Sequence, residues 1–107
     1  MDIVGLEIND YFLPYEGGDN TTGYYRAFMH YCIDNYFVEI IISESLQTRF
    51  RLSPQDPDFK RSLYYNRVET YNGLSYSTWN DNKRKRWLIE TISEELGIDL
   101  FVHVIED

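Results

Sequence analysis

"YYRAFMHYCIDNYFVEIII", residues Tyr24 to Ile42, admits two readings, and the choice between them sets the fold class. Tyr24, Ala27, Phe28, Tyr31 and Cys32 match one face of a helix, while the Tyr, Phe, Cys and Ile content suits a strand. Asp34-Asn35 tips the balance. Both residues tolerate positive φ and stand between an aromatic run and the aliphatic "YFVEIII", so two strands joined by a tight hairpin are expected, the second over Phe37 to Ile42.

Working outward, Ile3, Val4, Leu6 and Ile8 suggest a first strand, and "NDYFLPYEGGDNTTG" after it reads as an irregular loop marked by Pro14, Gly17 and Gly18. In "LQTRFRL", Leu46, Thr48, Phe50 and Leu52 alternate with Gln47, Arg49 and Arg51, an amphipathic strand pattern. Ser53-Pro54 and Asp56-Pro57 then break the chain, and Asp58 to Tyr65 can hold a short helical turn. Asn72-Gly73 between two strand-like runs is a strong short-range hairpin signal. A two-residue turn there sets Tyr71 opposite Leu74 and Glu69 opposite Tyr76, with Val68, Thr70, Ser75 and Ser77 on the other side. Neither side is clearly a core face, so the hairpin is expected at an edge or projecting as a contact element.

"NDNKRKRWLIETISEEL", Asn80 to Leu96, is the best helix in the sequence. Leu88, Ile89, Ile92 and Leu96 share one stripe, Asp81 or Asn80 can cap the start, and Gly97 can end it in the left-handed conformation. Its charges oppose the macrodipole, since Lys83 to Arg86 open the helix and Glu94 and Glu95 close it. The tail "IDLFVHVIE" is apolar on both faces, as in a central strand covered on both sides or a covered edge. Together these signals predict a single α+β domain over residues 1–107: mainly antiparallel sheet with β-hairpins, and one C-terminal amphipathic helix followed by a final strand.

The chain carries 18 acidic and 10 basic residues, a formal net charge of −8, which disfavours free nucleic acid and anionic membrane surfaces as partners. That charge is unevenly spread. Residues 1–48 hold eight acids and one base, residues 49–86 nine bases and four acids, and residues 87–107 six acids and no base. The Lys83–Arg86 block has three readings: a phosphate site with Trp79 and Trp87 as stacking platforms, an intramolecular partner for the acidic segments, or a solvated helix face. A lone cysteine, Cys32, forms no internal disulfide and fits a reducing compartment. No apolar run approaches the roughly 20 residues of a membrane span, and no signal peptide is evident. Cytoplasm is the expected location.

Candidates for chemistry are few. His30, Cys32 and His103 are the conventional nucleophile, base or soft-metal residues, and they show no metal-ligand spacing and no fourth ligand. No glycine-rich phosphate loop is present, because Gly17-Gly18 lacks the Lys-Ser/Thr that would follow. Neither enzyme activity, nor a cofactor, nor a metal is expected. Ten tyrosines, six phenylalanines and two tryptophans make the chain 17% aromatic, a composition that serves both sheets and interfaces.

A small, acidic, Tyr-rich chain with no catalytic signature suits a protein that occupies another protein's basic surface. With "NDYFLPYEGGDN" and "YYNRVETYNGLSYSTW" as its recognition-like stretches, the chain resembles, in general character, bacterial toxin-immunity proteins of the contact-dependent growth inhibition type. That resemblance implies a cytoplasmic protein that binds and blocks one cognate toxin, often a nuclease. The expected contacts are Asp10, Tyr11, Tyr15, Glu16 and Asp19 of the first loop, with Tyr71 and Tyr76 of the hairpin as aromatic anchors. A phage-type inhibitor mimicking nucleic acid would use the same acids, and a weak nucleic-acid or anion binder would use Lys83–Arg86. The sequence leaves the oligomeric state open.

Overall fold

The computed structural model describes residues 2–15, 20–50, 68–78 and 81–105, except for the side chain of Thr48. Along these residues run β1 (Asp2–Ile8), β2 (Tyr11–Phe12), α1 (Asn20–Asn35), α2 (Phe37–Ile42), a 3-10 turn (Leu46–Thr48), β3 (Val68–Tyr71), β4 (Leu74–Ser77), α3 (Asn82–Leu96) and β5 (Leu100–Ile105). The class is α+β, with a three-stranded antiparallel sheet ordered β2-β1-β5 and a separate β3-β4 pair. The chain divides into two compact units, Met1–Met29 with Asn80–Asp107, and His30–Trp79.

The main correction concerns Tyr24 to Ile42, which is helical. Tyr25, Phe28, Met29, Cys32 and Ile33 recur at the i, i+3, i+4, i+7, i+8 spacing of one helical stripe, and all are buried. Burial of that stripe outweighs the strand preference of its Tyr, Phe and Ile residues. Asp34-Asn35 is therefore a helix end and not a hairpin turn. The Asn35 side-chain amide donates to the Tyr31 carbonyl one turn back at 2.9 Å, a side-chain bond made along the last helical turn. Phe37 to Ile42 forms the short helix α2, which buries Ile40 and leaves Val38 and Ile42 exposed. The strand expected from Leu46 is a 3-10 turn, with Leu46 and Phe50 buried. The helical turn expected within Asp58 to Tyr65 lies outside the described residues.

In the first unit β1 and β5 pair antiparallel, and a bulge sets the faces. Period-two alternation puts Ile3 and Leu6 on opposite sides of a regular strand, yet both are buried. The register slips between Ile3 and Gly5, so that Ile3 pairs with Val104 and Gly5 with His103, leaving Val4 as the extra residue. Ile3, Leu6 and Ile8 consequently all face inward, and Tyr25, Phe28 and Met29 of α1 with Leu88, Ile89 and Ile92 of α3 are likewise buried. The Ile3 N–H donates to the Thr21 hydroxyl at 3.0 Å, so the bulge leaves no orphan donor there.

What reads in sequence as a loop after β1 begins as a hairpin. Asn9 and Asp10 both have positive φ, 50° and 66°, as a two-residue type I′ turn requires, and they join β1 to β2 with Ile8 opposite Tyr11. The Leu13 N–H donates to the Leu6 carbonyl at 3.0 Å, carrying the pairing one residue further. Asn20 to Gly23, the end of the expected loop, already belong to α1.

α3 has the predicted termini. The Asp81 carboxylate accepts the Arg84 N–H at 2.7 Å, Gly97 stands at φ 71°, and the Ile98 N–H donates to the Ser93 carbonyl at 2.8 Å. The Asn72-Gly73 hairpin also has its predicted register, with φ of 46° and 88° at the turn, Tyr71 opposite Leu74 and Glu69 opposite Tyr76. It does not project. Leu74, Ser75 and Tyr76 are all buried, and Ser75 is paired at 2.7 Å with the Thr70 hydroxyl.

Two outcomes test this packing. Asp81→Ala lowers stability by about 1 kcal/mol in urea titration, the worth of a helix N-cap. Cys32 is enclosed in the core and burial pushes its thiol pKa up, so the native state keeps a proton that the unfolded state releases above about pH 8.5. Its contribution is complete below that pH and is lost above it, at about 1.4 kcal/mol per pH unit. Cys32→Ala removes that slope between about pH 8.5 and 9.5, and an unchanged slope contradicts the assignment.

Candidate partner-binding surface

The predicted contact residues separate once the chain folds. Asp10 is exposed at the β1-β2 turn, Tyr11 is 56% and Tyr15 47% exposed, and the Tyr15 ring leans on Tyr24 with centroids 5.7 Å apart. Glu16 and Asp19 lie outside the described residues. Tyr71 and Tyr76 belong to a different arrangement in the second unit.

Tyr76 is fully buried, which corrects its reading as a surface anchor. Its hydroxyl donates to the Glu69 carboxylate at 2.7 Å and lies 2.8 Å from His30 Nε2. Tyr71, half-buried, stacks on the His30 ring at 3.9 Å with a 6° interplanar angle. The Asp34 carboxylate accepts both the Tyr71 hydroxyl at 2.7 Å and the Asn72 side-chain amide at 2.8 Å. An acid at a helix C-terminus opposes the dipole. Here it finds two donors from the hairpin, so the tyrosines fasten the β3-β4 hairpin to the end of α1. Tyr76→Phe lowers stability by about 1–2 kcal/mol, because the half-buried Glu69 and His30 groups lose the hydroxyl of a fully buried ring, whereas Tyr71→Phe costs well under about 1 kcal/mol at its exposed bond. Equal costs in denaturant titration contradict this division of roles.

The basic block is divided among different environments. Lys85 is buried, with Nζ donating to the Thr22 hydroxyl at 2.8 Å, and Arg86 pairs with Glu90 at 2.8 Å along the same helix. The Arg84 guanidinium lies 4.1 Å from the Trp87 ring centroid, in cation–π contact. Lys83 lines an open recess of about 320 Å³ together with Asp2, Asn82 and Arg86. Trp79, the other proposed stacking platform, lies outside the described residues.

His30 and Cys32 form no pair: two residues apart on a helix they point about 200° from one another, one toward Tyr71 and the other into the core. Among the described residues, no group of three or more His, Cys, Asp or Glu side chains is placed to hold a metal ion. Among them, too, no helix is long and apolar enough to cross a membrane.

A continuous candidate surface lies on the outer side of the β2-β1-β5 sheet. The sequence suggests a central strand covered on both sides or a covered edge; among the described residues β5 stands at the edge of its sheet, and its outer residues Phe101 and Ile105 are 59% and 58% exposed instead of covered. The register aligns Phe12, Glu7 and Phe101 in one row across the three strands, with Phe12 itself 62% exposed. His103, opposite Gly5, packs between the two phenylalanines, its ring centroid 5.8 Å from Phe12 and 4.6 Å from Phe101. Gly5 gives it room, because a Cβ there would touch the ring at 3.4 Å. His103 Nε2 lies 3.0 Å from Glu7 Oε2, which fixes the carboxylate on the face.

One end of this face opens into a recess of about 210 Å³ lined by Glu7, Asp10, Asp99, Leu100 and Phe101. Asp99 is brought there by a reciprocal pair of bonds: Asn9 N–H to the Asp99 carbonyl at 2.9 Å, and Asp99 N–H to Asn9 Oδ1 at 3.1 Å. Sequence does not mark Glu7, Phe12, Asp99 and Phe101 as contact residues and offers His103 only as a candidate for chemistry, since they meet only through the β1-β2 and β1-β5 pairings.

No protein-family model matches the chain, and no curated protein or solved structure is significantly similar to it.

Proposed function

We propose that this chain is a small acidic protein that binds and neutralises a cognate protein toxin, a nuclease, by occupying its basic active-site surface. The observation that supports this reading is an exposed apolar sheet face with a recess at one end whose charged residues, Glu7, Asp10 and Asp99, are all acidic. Phe12, Phe101 and Ile105 stand open to solvent, with Asp2, Glu7, Asp10 and Asp99 as the charged residues of the same three strands and their turns. Neither residues 2–15 nor residues 99–105 contain a lysine or arginine. Contiguous exposed apolar surface of this kind marks interaction sites. Carboxylates around it accelerate encounter with a cationic partner, and the desolvated aromatics slow its departure.

The anion-binding alternative draws less support, because Lys85, Arg84 and Arg86 are engaged with Thr22, Trp87 and Glu90. The nucleic-acid mimic would need acids spaced as phosphates along a strip, whereas Glu7, Asp10 and Asp99 gather in one recess at the end of an apolar face.

The test is inhibition of the nuclease encoded beside this chain's gene, measured with both proteins purified. Activity falls to zero at one equivalent, and the association rate drops by about tenfold or more between low and 0.5 M salt, as steered encounters do. Reversing the charges of Glu16 and Asp19 slows association, and Tyr15→Ala mainly speeds dissociation. Full nuclease activity with excess chain present contradicts the reading.

A further inference from the structure

We propose that the outer face of the β2-β1-β5 sheet docks an apolar segment of the partner protein that carries an arginine, and that the guanidinium enters the recess between Glu7, Asp10, Asp99 and Phe101. This rests on the reading of the chain as a binder of a basic protein surface. The apolar part of the face, Phe12, Phe101 and Ile105, calls for an apolar covering, and the acids at its end select the charge of what covers it. A second copy of the chain is disfavoured, because two molecules of net charge −8 repel one another. Nucleic acid is repelled by the same acids. A cationic protein segment meets both requirements.

Arginine suits the recess better than lysine for three reasons. A planar guanidinium bonds two carboxylates through its fork while remaining weakly hydrated, so it loses less on leaving water. The exposed Phe101 ring borders the same recess and offers a face for cation–π contact. A volume of about 210 Å³ also leaves space for ordered water beside the cation, each water taking about 30 Å³. The site is also held in advance. His103 anchors one oxygen of Glu7, and the Asn9–Asp99 bond pair fixes the backbone that carries Asp99. Such preorganisation lowers the ordering cost of docking.

The experiment titrates the full chain, labelled with ¹⁵N, with a capped five-residue peptide of alternating valine and arginine. Saturable amide shifts are expected at Glu7, Asp10, Phe12 and residues 99–103. A peptide with citrulline for arginine binds about tenfold more weakly or worse, and Asp99→Asn and Phe101→Ala each weaken the arginine peptide by about fivefold, with spectra otherwise unchanged. Equal binding of the citrulline peptide, shifts spread over Glu39, Glu90 and Glu94, no saturable shift, or a concentration-dependent dimer through β5 overturns the proposal. The same variants separate it from the functional reading. A toxin inhibited equally well by Asp99→Asn and Phe101→Ala overturns this docking face and spares the toxin reading. A peptide seated as described, with no nuclease inhibited, supports the face and contradicts the toxin reading.

Discussion

The pairing of β1 with β5, offset by the single extra residue Val4, is the constraint on which the first unit depends. Without that offset Ile3 and Leu6 would face opposite sides, and one of the two would lose its place in the core. With it, the inner face carries Ile3, Leu6 and Ile8, while the outer face carries Glu7, Phe101 and His103 in adjoining rows. The same pairing brings Asp99 beside the Asn9-Asp10 turn, so the acidic recess follows from the strand register. Core and candidate surface are thus two sides of one alignment.

The reversed charge order of α3 is resolved residue by residue. Asp81 supplies the negative charge that the helix start favours, through its bond to the Arg84 N–H. Lys85 has left the solvated face and bonds Thr22, and Arg86 meets Glu90 one turn on, in the less favourable orientation for an i,i+4 pair. The block therefore joins α3 to α1 and to its own next turn within the first unit. The acids that follow leave the end of α3 and β5 without any lysine or arginine from Trp87 onward.

Elements defined by local chemistry were legible in the sequence: Asn72-Gly73 fixed a hairpin and its register, and Asp81 with Gly97 bounded α3. Tyr24 to Ile42 was misread because strand preference and turn chemistry at Asp34-Asn35 agreed with each other, while the deciding term was burial of Tyr25, Phe28, Met29, Cys32 and Ile33. Asn9-Asp10 makes the same type of turn as Asn72-Gly73, but it lacks the glycine and leads into a two-residue strand, so its hairpin was hidden. Of the expected contacts, Asp10, Tyr11 and Tyr15 are exposed, whereas Tyr76 is spent on the Glu69–His30 network. Glu7, Phe12, Asp99 and Phe101 escaped notice because no local pattern joins the two ends of the β1-β5 ladder; Gly5, the glycine inside a strand, was the one available hint of a bulge.

The proposed role requires that an apolar sheet face with acids gathered at one end receives a cationic protein segment. A crystal structure of the chain bound to the nuclease it is proposed to inhibit tests this most directly. Phe12, Phe101 and Ile105 are expected to be covered, with a partner arginine between Glu7, Asp10 and Asp99. A complex in which those three side chains remain open to solvent, with the contact made elsewhere on the chain, contradicts it.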